Sequence, residues 1–429
     1  IYFGIFFGSW ILYLIACNPG NISQDAASAW SEIIGDRKIS SLFPPLIKIF
    51  YRLITRVIPS IYVIAVTQIL MMSLIAASFV MFLHRRGVSP KKLIPGSLLF
   101  ALFPPNGIFV VTFSSNFYYM VSMCLLTFCI IRFFAEEEET VHSRIYPVLL
   151  GLSLYGLYFM RNEGRYICIF FLILMAILSV KMKNLKWGMS SVGTVVVILL
   201  TNFVIFPAFG TGSGEMQSFD YWRNMLWSAA YYGGELPEQA ESYYGNYEKF
   251  TEGDFSYDGC PPEKPEILSH DERMDAVSYV LEHDFPEVLR DRLNKSDVVW
   301  DVTEAVSAHN VREITMVVPT SYGFERHENI LTKIFVKALY PVTIAVAPLD
   351  CLCYRSGIWI DAALLLILGF CVTRRKRCIL TLLPALVHSA VFIFGLLWQC
   401  SRHVYVTELC VLMVLISAPF LMSGGKSRK

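Results

Sequence analysis

Three short polar clusters border long apolar runs, and their residue types suit proton abstraction and phosphate binding. The first, Asn18-Pro19-Gly20-Asn21-Ile22-Ser23-Gln24-Asp25, follows the opening apolar run directly. A carboxylate at the water boundary of a membrane cavity is partly desolvated, which raises its basicity and makes it a workable proton acceptor. Asp25 is therefore the candidate base, with Gln24 beside it in support; an aspartate after Asn-Pro-Gly-Asn also suits a helix cap. The second, Arg161-Asn162-Glu163-Gly164-Arg165, packs two guanidiniums and a carboxylate into five residues. The third, Arg402-His403, opens the final apolar run. Arginine holds phosphate through paired N–H donors, so Arg161, Arg165, Arg402 and His403 are candidate phosphate contacts, supported by Asn162 and Glu163. Interfacial anchoring accounts for any one cluster alone. Three on one side of a membrane weigh more than each does separately.

The elements that must position them are legible in the composition. Of 429 residues, 55% are apolar and 17% charged, with a mean hydropathy of +0.51, whereas a soluble globule carries about 25% charge and roughly 45–50% apolar residues. Disordered, collagen-like, small disulfide-stapled and nucleic-acid-binding classes are excluded, and a mainly α, polytopic membrane helix bundle is expected. Apolar runs lie near 1–17, 58–83, 93–113, 116–134, 145–160, 166–180, 189–207, 357–372, 378–399 and 404–422, about ten membrane crossings at helical rise. The first run has neither a basic flank nor a small-residue cleavage site, so it reads as a retained anchor.

Short loops rich in Lys and Arg stay on the cytoplasmic side. With a cytoplasmic N-terminus, Arg85-Arg86 with Lys91-Lys92, Arg132 with Arg144, Lys181/Lys183/Lys186 and Arg374-Arg375-Lys376-Arg377 all fall inside. The loop 18–57, the Arg161–Arg165 turn, the stretch 208–356 and the Arg402-His403 turn fall outside. The chain thus divides into an N-terminal membrane module (1–207), an extracytoplasmic α-rich insert with a flanking surface helix (208–356) and C-terminal membrane helices (357–429). The near-neutral total conceals two bodies: residues 208–330 hold 24 acidic and 9 basic residues, against 11 and 27 elsewhere.

Short amphipathic helices are expected in the insert around Tyr221–Trp227 and Met274–Leu293, and a loop over Gly245–Pro265. Leu331–Val346, interrupted by Pro341, is expected as a surface or re-entrant segment, since a further crossing would put Arg374–Arg377 outside. In the first loop, Pro44-Pro45 suits a helix start, after which Leu46, Ile49, Phe50, Leu53 and Val57 share one face and Lys48, Arg52 and Arg56 another. That pattern fits a helix lying in the interface with its cations among lipid phosphates, which adds Arg52 to the candidate donor contacts; a linker helix with snorkelling cations fits equally. The cysteines show no metal-type spacing, a disulfide among Cys260, Cys351, Cys353 and Cys400 is open, and no zinc, P-loop or dinucleotide signature is present.

The order Asn18-Pro19-Gly20…Asp25, Pro44-Pro45, Arg161-Asn162-Glu163-Gly164 opening a span, an outside domain, and Arg402-His403-Val404-Tyr405 opening the last span resembles the polytopic GT-C glycosyltransferases of the bacterial, polyprenyl-phosphate-sugar-dependent type. Two positions depart from that pattern: Phe43 stands where a histidine would precede the prolines, and His403 where tyrosine often follows the arginine. The resemblance implies transfer of a sugar from a polyprenyl-phosphate donor to an outside acceptor, a glycan, lipid or protein. Asp25 would take the acceptor hydroxyl's proton, and Arg161, Arg165 or Arg402 would neutralise the departing lipid phosphate. Some members use a divalent metal; Asp36 and Glu163 are the nearest candidate ligands. The competing readings are a multi-pass transporter, for which Asp361 and Glu408 are the intramembrane carboxylates, and a non-catalytic envelope component presenting its acidic insert.

Overall fold

The computed structural model describes residues 1–22, 24–40, 44–136, 139–140, 143–181, 183, 185–211, 278–279, 281–286, 288–290, 325–395 and 401–423. Of these residues, 84% are helical, as expected where backbone groups must satisfy one another within each segment. The bundle begins with α1 (Tyr2–Ala16). A two-residue strand, β1 (Asn21–Ile22), and the helix pair α2 (Gln24–Ile34) and α3 (Pro45–Thr55) make up the first loop. Then come α4 (Tyr62–Arg85), α5 (Pro90–Leu102), α6 (Pro104–Val110), β2 (Thr112–Phe113) and α7 (Ser115–Ala135). Next are α8 (Ile145–Met160), α9 (Asn162–Lys181) and α10 (Leu185–Leu200), the last continuing through a π-helical turn, Thr201–Ile205. After the insert follow α11 (Thr332–Ala345), α12 (Ala347–Tyr354), α13 (Ser356–Val372), α14 (Leu383–Gly395) and α15 (Ser401–Ser423).

Among the described residues, six helices are long and apolar enough to cross a membrane, or up to eight if each of two bent pairs counts as one span. Three expected crossings correspond instead to the shorter helices α1, α8 and α13. At 15 to 17 residues they reach about 22–26 Å, short of the ~30 Å of hydrocarbon. The run 93–113, expected as one span, is two helices meeting at 64°. Its cause is Pro104-Pro105: a residue before proline is pushed out of the α region, and Phe103 is extended at φ −65°, ψ 123°. The segment Leu331–Val346, expected on the surface or as a re-entrant piece, holds α11, which with α12 forms the second bent pair, meeting at 97°.

Helix α7 is the hub. Buried residues make up 78% of its apolar window, against 22% for the helix containing α10, and it packs on α8, α15 and α4. Its N-terminus is capped by Ser114, which accepts from the Asn116 amide at 3.2 Å. At its other end Arg132 and Arg86 both pair with Glu136, at 3.0 and 3.2 Å, joining α4 to α7. Trp10 and Tyr13 of α1 are fully buried, and the Tyr13 hydroxyl donates to the Leu102 carbonyl at 2.6 Å, at the first bend.

The first loop is tied to the other end of the hub. Strand β1 pairs in parallel with β2, Asn21 opposite Thr112. Gly20 makes this approach possible: its φ is +119°, and a β-carbon there would stand 3.0 Å from the Val111 carbonyl oxygen. Only glycine accepts both demands. Arg326 and Asn329, just before α11, return to the same corner, donating to Asn21 Oδ1 of the loop at 2.7 Å and to the Ile15 carbonyl of α1 at 2.7 Å. In the insert, residues 281–283 and 288–290 are helical, in line with the expectation for Met274–Leu293; Tyr221–Trp227 and Gly245–Pro265 lie outside the described residues. Cys351 and Cys353 are free thiols, while Cys260 and Cys400 lie outside the described residues.

Candidate functional site at the first-loop rim

Helices α2 and α3 form a hairpin whose seam is polar. Lys48, with no exposed surface, donates to Glu32 Oε2 at 2.6 Å and to the Ser40 carbonyl at 2.5 Å. Ser40 closes the cluster by donating from its amide (2.8 Å) and hydroxyl (2.7 Å) to the two Glu32 oxygens. Burial works against the Glu32 charge, but these hydrogen bonds prevail and hold its carboxyl below the ordinary glutamate value. Burial likewise lowers Lys48, partly offset by Glu32. The expectation that Lys48 faces lipid phosphates is thus corrected: an ammonium beside a buried carboxylate gains a desolvated partner that a lipid surface would not supply.

Arg52 has also been recruited locally. Its guanidinium donates to the Glu32 carbonyl at 3.1 and 2.7 Å and to the Arg37 carbonyl at 3.0 Å, satisfying carbonyls at the end of α2. The expected apolar face is divided: Phe50, Leu53 and Val57 are exposed, whereas Ile49 is buried and Leu46 half-buried, and Ile47 and Tyr51 are buried beside them. Asp25 is the second residue of α2, in the first helical turn rather than at the cap position. The side chains of Asp25 and Gln24 lie outside the described residues, as do those of Arg402 and His403 in the first turn of α15. Asp36 is exposed in the turn after α2.

The Arg161 cluster is built where α8 gives way to α9. Arg161 itself is extended (φ −154°, ψ 153°), which swings its side chain across the rim to the start of α7. Nε and Nη2 donate to the two Glu163 oxygens at 3.1 Å each, and Nη1 donates to Asn116 Oδ1. The guanidinium lies 5.2 Å from the Phe392 ring centroid and 5.9 Å from that of Tyr119, a cation–π setting in a desolvated place. Gly164 is required by packing, because a β-carbon would collide with the Leu157 carbonyl oxygen. Asn162 is half-buried, and Arg165 is exposed with its guanidinium 5.5 Å from the Tyr158 ring.

Residues that the sequence reading passed over complete the cluster. His388 of α14 is fully buried: Nδ1 contacts Thr407 Oγ1 at 2.9 Å, and Ser389 reaches the same hydroxyl at 3.2 Å. Its ring stands 5.6 Å from Tyr119 and 4.3 Å from Phe392. Among the described residues, His388 Nε2 and the Tyr119 hydroxyl are buried without a hydrogen-bond partner, and such groups are uncommon enough to require a reason. The available signal was polarity inside apolar runs, at Asn116, His388 and Thr407, the places where intramembrane side chains mark function.

The structure brings first loop and arginine cluster to one rim. Helix α3 packs on α8 and α4, and its Tyr51 hydroxyl bonds that of Tyr118, two residues beyond Asn116. Chemically, the rim offers a neutralised, ring-flanked guanidinium with orphan polar groups below it. Among the described residues no group of three His, Cys, Asp or Glu side chains is placed to hold a metal ion. No protein-family model, curated protein or solved structure matches the chain.

Proposed function

We propose that the chain is a multi-pass membrane glycosyltransferase of GT-C type, moving a sugar from a polyprenyl-phosphate donor to an extracytoplasmic glycan, lipid or protein acceptor. The observation that supports this reading best is the shared rim: the helix carrying Asp25 and the Arg161–Glu163–Asn116 cluster stand at the same end of the bundle. On this reading the chain crosses the cytoplasmic membrane about ten times, the shorter helices α1, α8 and α13 included, with residues 208–356 outside and the rim on the extracytoplasmic face. Asp25 accepts the proton of the attacking acceptor hydroxyl, the oxygen forms the new bond to the anomeric carbon with inversion, and the phosphate leaves with the bond's electrons. Arg161 with Arg165 and Arg402 steadies that growing charge. Arg161 is already balanced by Glu163, so additional positive charge must come from the other arginines. A divalent metal, if bound, would further neutralise the leaving phosphate; Asp36 and Glu163 are the candidate ligands.

The test is sugar transfer by purified protein in lipid. Asp25→Asn is expected to lower turnover by about 10²–10⁴-fold, the range for a general base; unchanged turnover in a folded variant removes Asp25 from the mechanism. A transporter is the second reading, favoured by the two bent helix pairs, since discontinuous helices frequently build substrate sites. Transfer by detergent-solubilised protein, with no two compartments to move solute between, separates the two.

A further inference from the structure

The two bent helix pairs meet. Helix α6, the short arm of the first, packs on α11, the long arm of the second. Within the second pair, Thr343 of α11 and Tyr354 of α12 contact through their hydroxyls at 3.0 Å, bracing the bend. Helix α15 touches both: its Tyr405 hydroxyl donates to Asn106 Oδ1 of α6 and its ring stands 5.1 Å from Phe109, while it also packs on α12. Glu408 lies one turn further along α15, about 10 Å below the helix start at 1.5 Å per residue.

Glu408 is 4% exposed, sits within electrostatic range of Cys353 and Tyr405, and makes no hydrogen bond or ion pair with any described residue. A carboxylate left bare in such surroundings is prohibitively costly, so something neutralises it. A metal cation of the hard type would need a shell of oxygen ligands. The groups within electrostatic range of it among the described residues are the Cys353 thiol and the Tyr405 hydroxyl, the latter engaged with Asn106.

We propose that Glu408 is a proton-binding site at the junction of the two bent helix pairs. Its carboxyl is neutral while the junction is closed; when water enters, the O–H bond breaks, the proton passes to that water and the carboxylate remains. Among the described residues, no other group facing it supplies a compensating charge. On α12, Asp350 is engaged with Arg355 at 3.1 Å and Cys353 is a thiol. Cys124 of α7 is a buried thiol, His388 of α14 is bonded to Thr407, Asp361 of α13 is exposed, and Cys378 lies at the opposite end against Leu421.

The test is infrared difference spectroscopy on the full chain in lipid at neutral pH, wild type minus Glu408→Gln, with and without sodium. The expected result is a protonated-carboxyl C=O stretch in the wild type, lost completely in the variant and indifferent to sodium. If Glu408→Gln does not fold, wild type carrying carboxyl-¹³C glutamate reads the same band by its isotope shift. A spectrum with only ionised carboxylates, or a band that sodium removes at constant pH, overturns the proposal. The readout is independent of sugar transfer, so loss of the glycosyltransferase reading would leave it standing.

Discussion

Two glutamates at one end of this bundle each hold a buried cation, yet the two pairs are built to opposite ends. Around Glu32, Lys48 spends all its donors on Glu32 and Ser40, and both carboxylate oxygens are occupied. Around Glu163, Arg161 is held as firmly, but the rings that flank it border His388 Nε2 and the Tyr119 hydroxyl, which have no partner among the described residues. A closed polar cluster has no bonding capacity left for a substrate; an unfinished one does. The difference is between a staple that shapes the first loop and a cluster with polar groups still open beside it.

The largest effect should come from breaking the staple. Lys48→Ala leaves Glu32 buried and unpaired, a loss of about 3–5 kcal/mol, while replacing both partners by apolar residues should cost much less. Thermal unfolding in detergent reads both, and transfer per folded molecule should be unchanged. If Lys48→Ala abolished transfer without loss of stability, the assignment of the two pairs would have to be reversed.

Gly164→Ala probes the other pair through its support. The added methyl must push α9 away from the Leu157 carbonyl, at about 1–3 kcal/mol for overpacking, and should reduce transfer by displacing Arg161. Acid probes the first pair directly. Because the folded carboxyl of Glu32 lies below its unfolded value, its contribution is complete above about pH 4.3 and is lost as pH falls through the folded value. The unfolding temperature should therefore drop in that acid range, and the drop should be smaller in Glu32→Gln/Lys48→Met. The smallest effect is expected for Arg165→Ala, about 0.5–1 kcal/mol from the exposed contact with Tyr158. A donor-concentration dependence weakened well beyond that would mark Arg165 as a phosphate contact.

Much of the frame was legible residue by residue. Long apolar runs became helices because a chain in hydrocarbon has few other ways to satisfy its backbone, and Pro44-Pro45 opened α3 because proline needs no amide partner in a first turn. The break at Pro104-Pro105 was equally written in the chain, though it was passed over in favour of one long span. Burial of Lys48 was not legible: three cations at four-residue spacing look alike, and only the arrival of Glu32 and Ser40 from sixteen and eight residues away separates the first from the others.

The same holds for the site. Sequence alone determined that Arg161, Glu163 and Gly164 adjoin, that Asp25 follows the first apolar run, and that a carboxylate, Glu408, sits inside the last. Only the tertiary structure decided that Asn116, His388 and Thr407, far apart in the chain, close around or beneath Arg161, and that two bent helix pairs meet beside Glu408. Local spacing controls which side chains share a turn. Which charges are paired, and which polar atoms are left open, depends on helices brought together across hundreds of residues by the burial of their apolar faces.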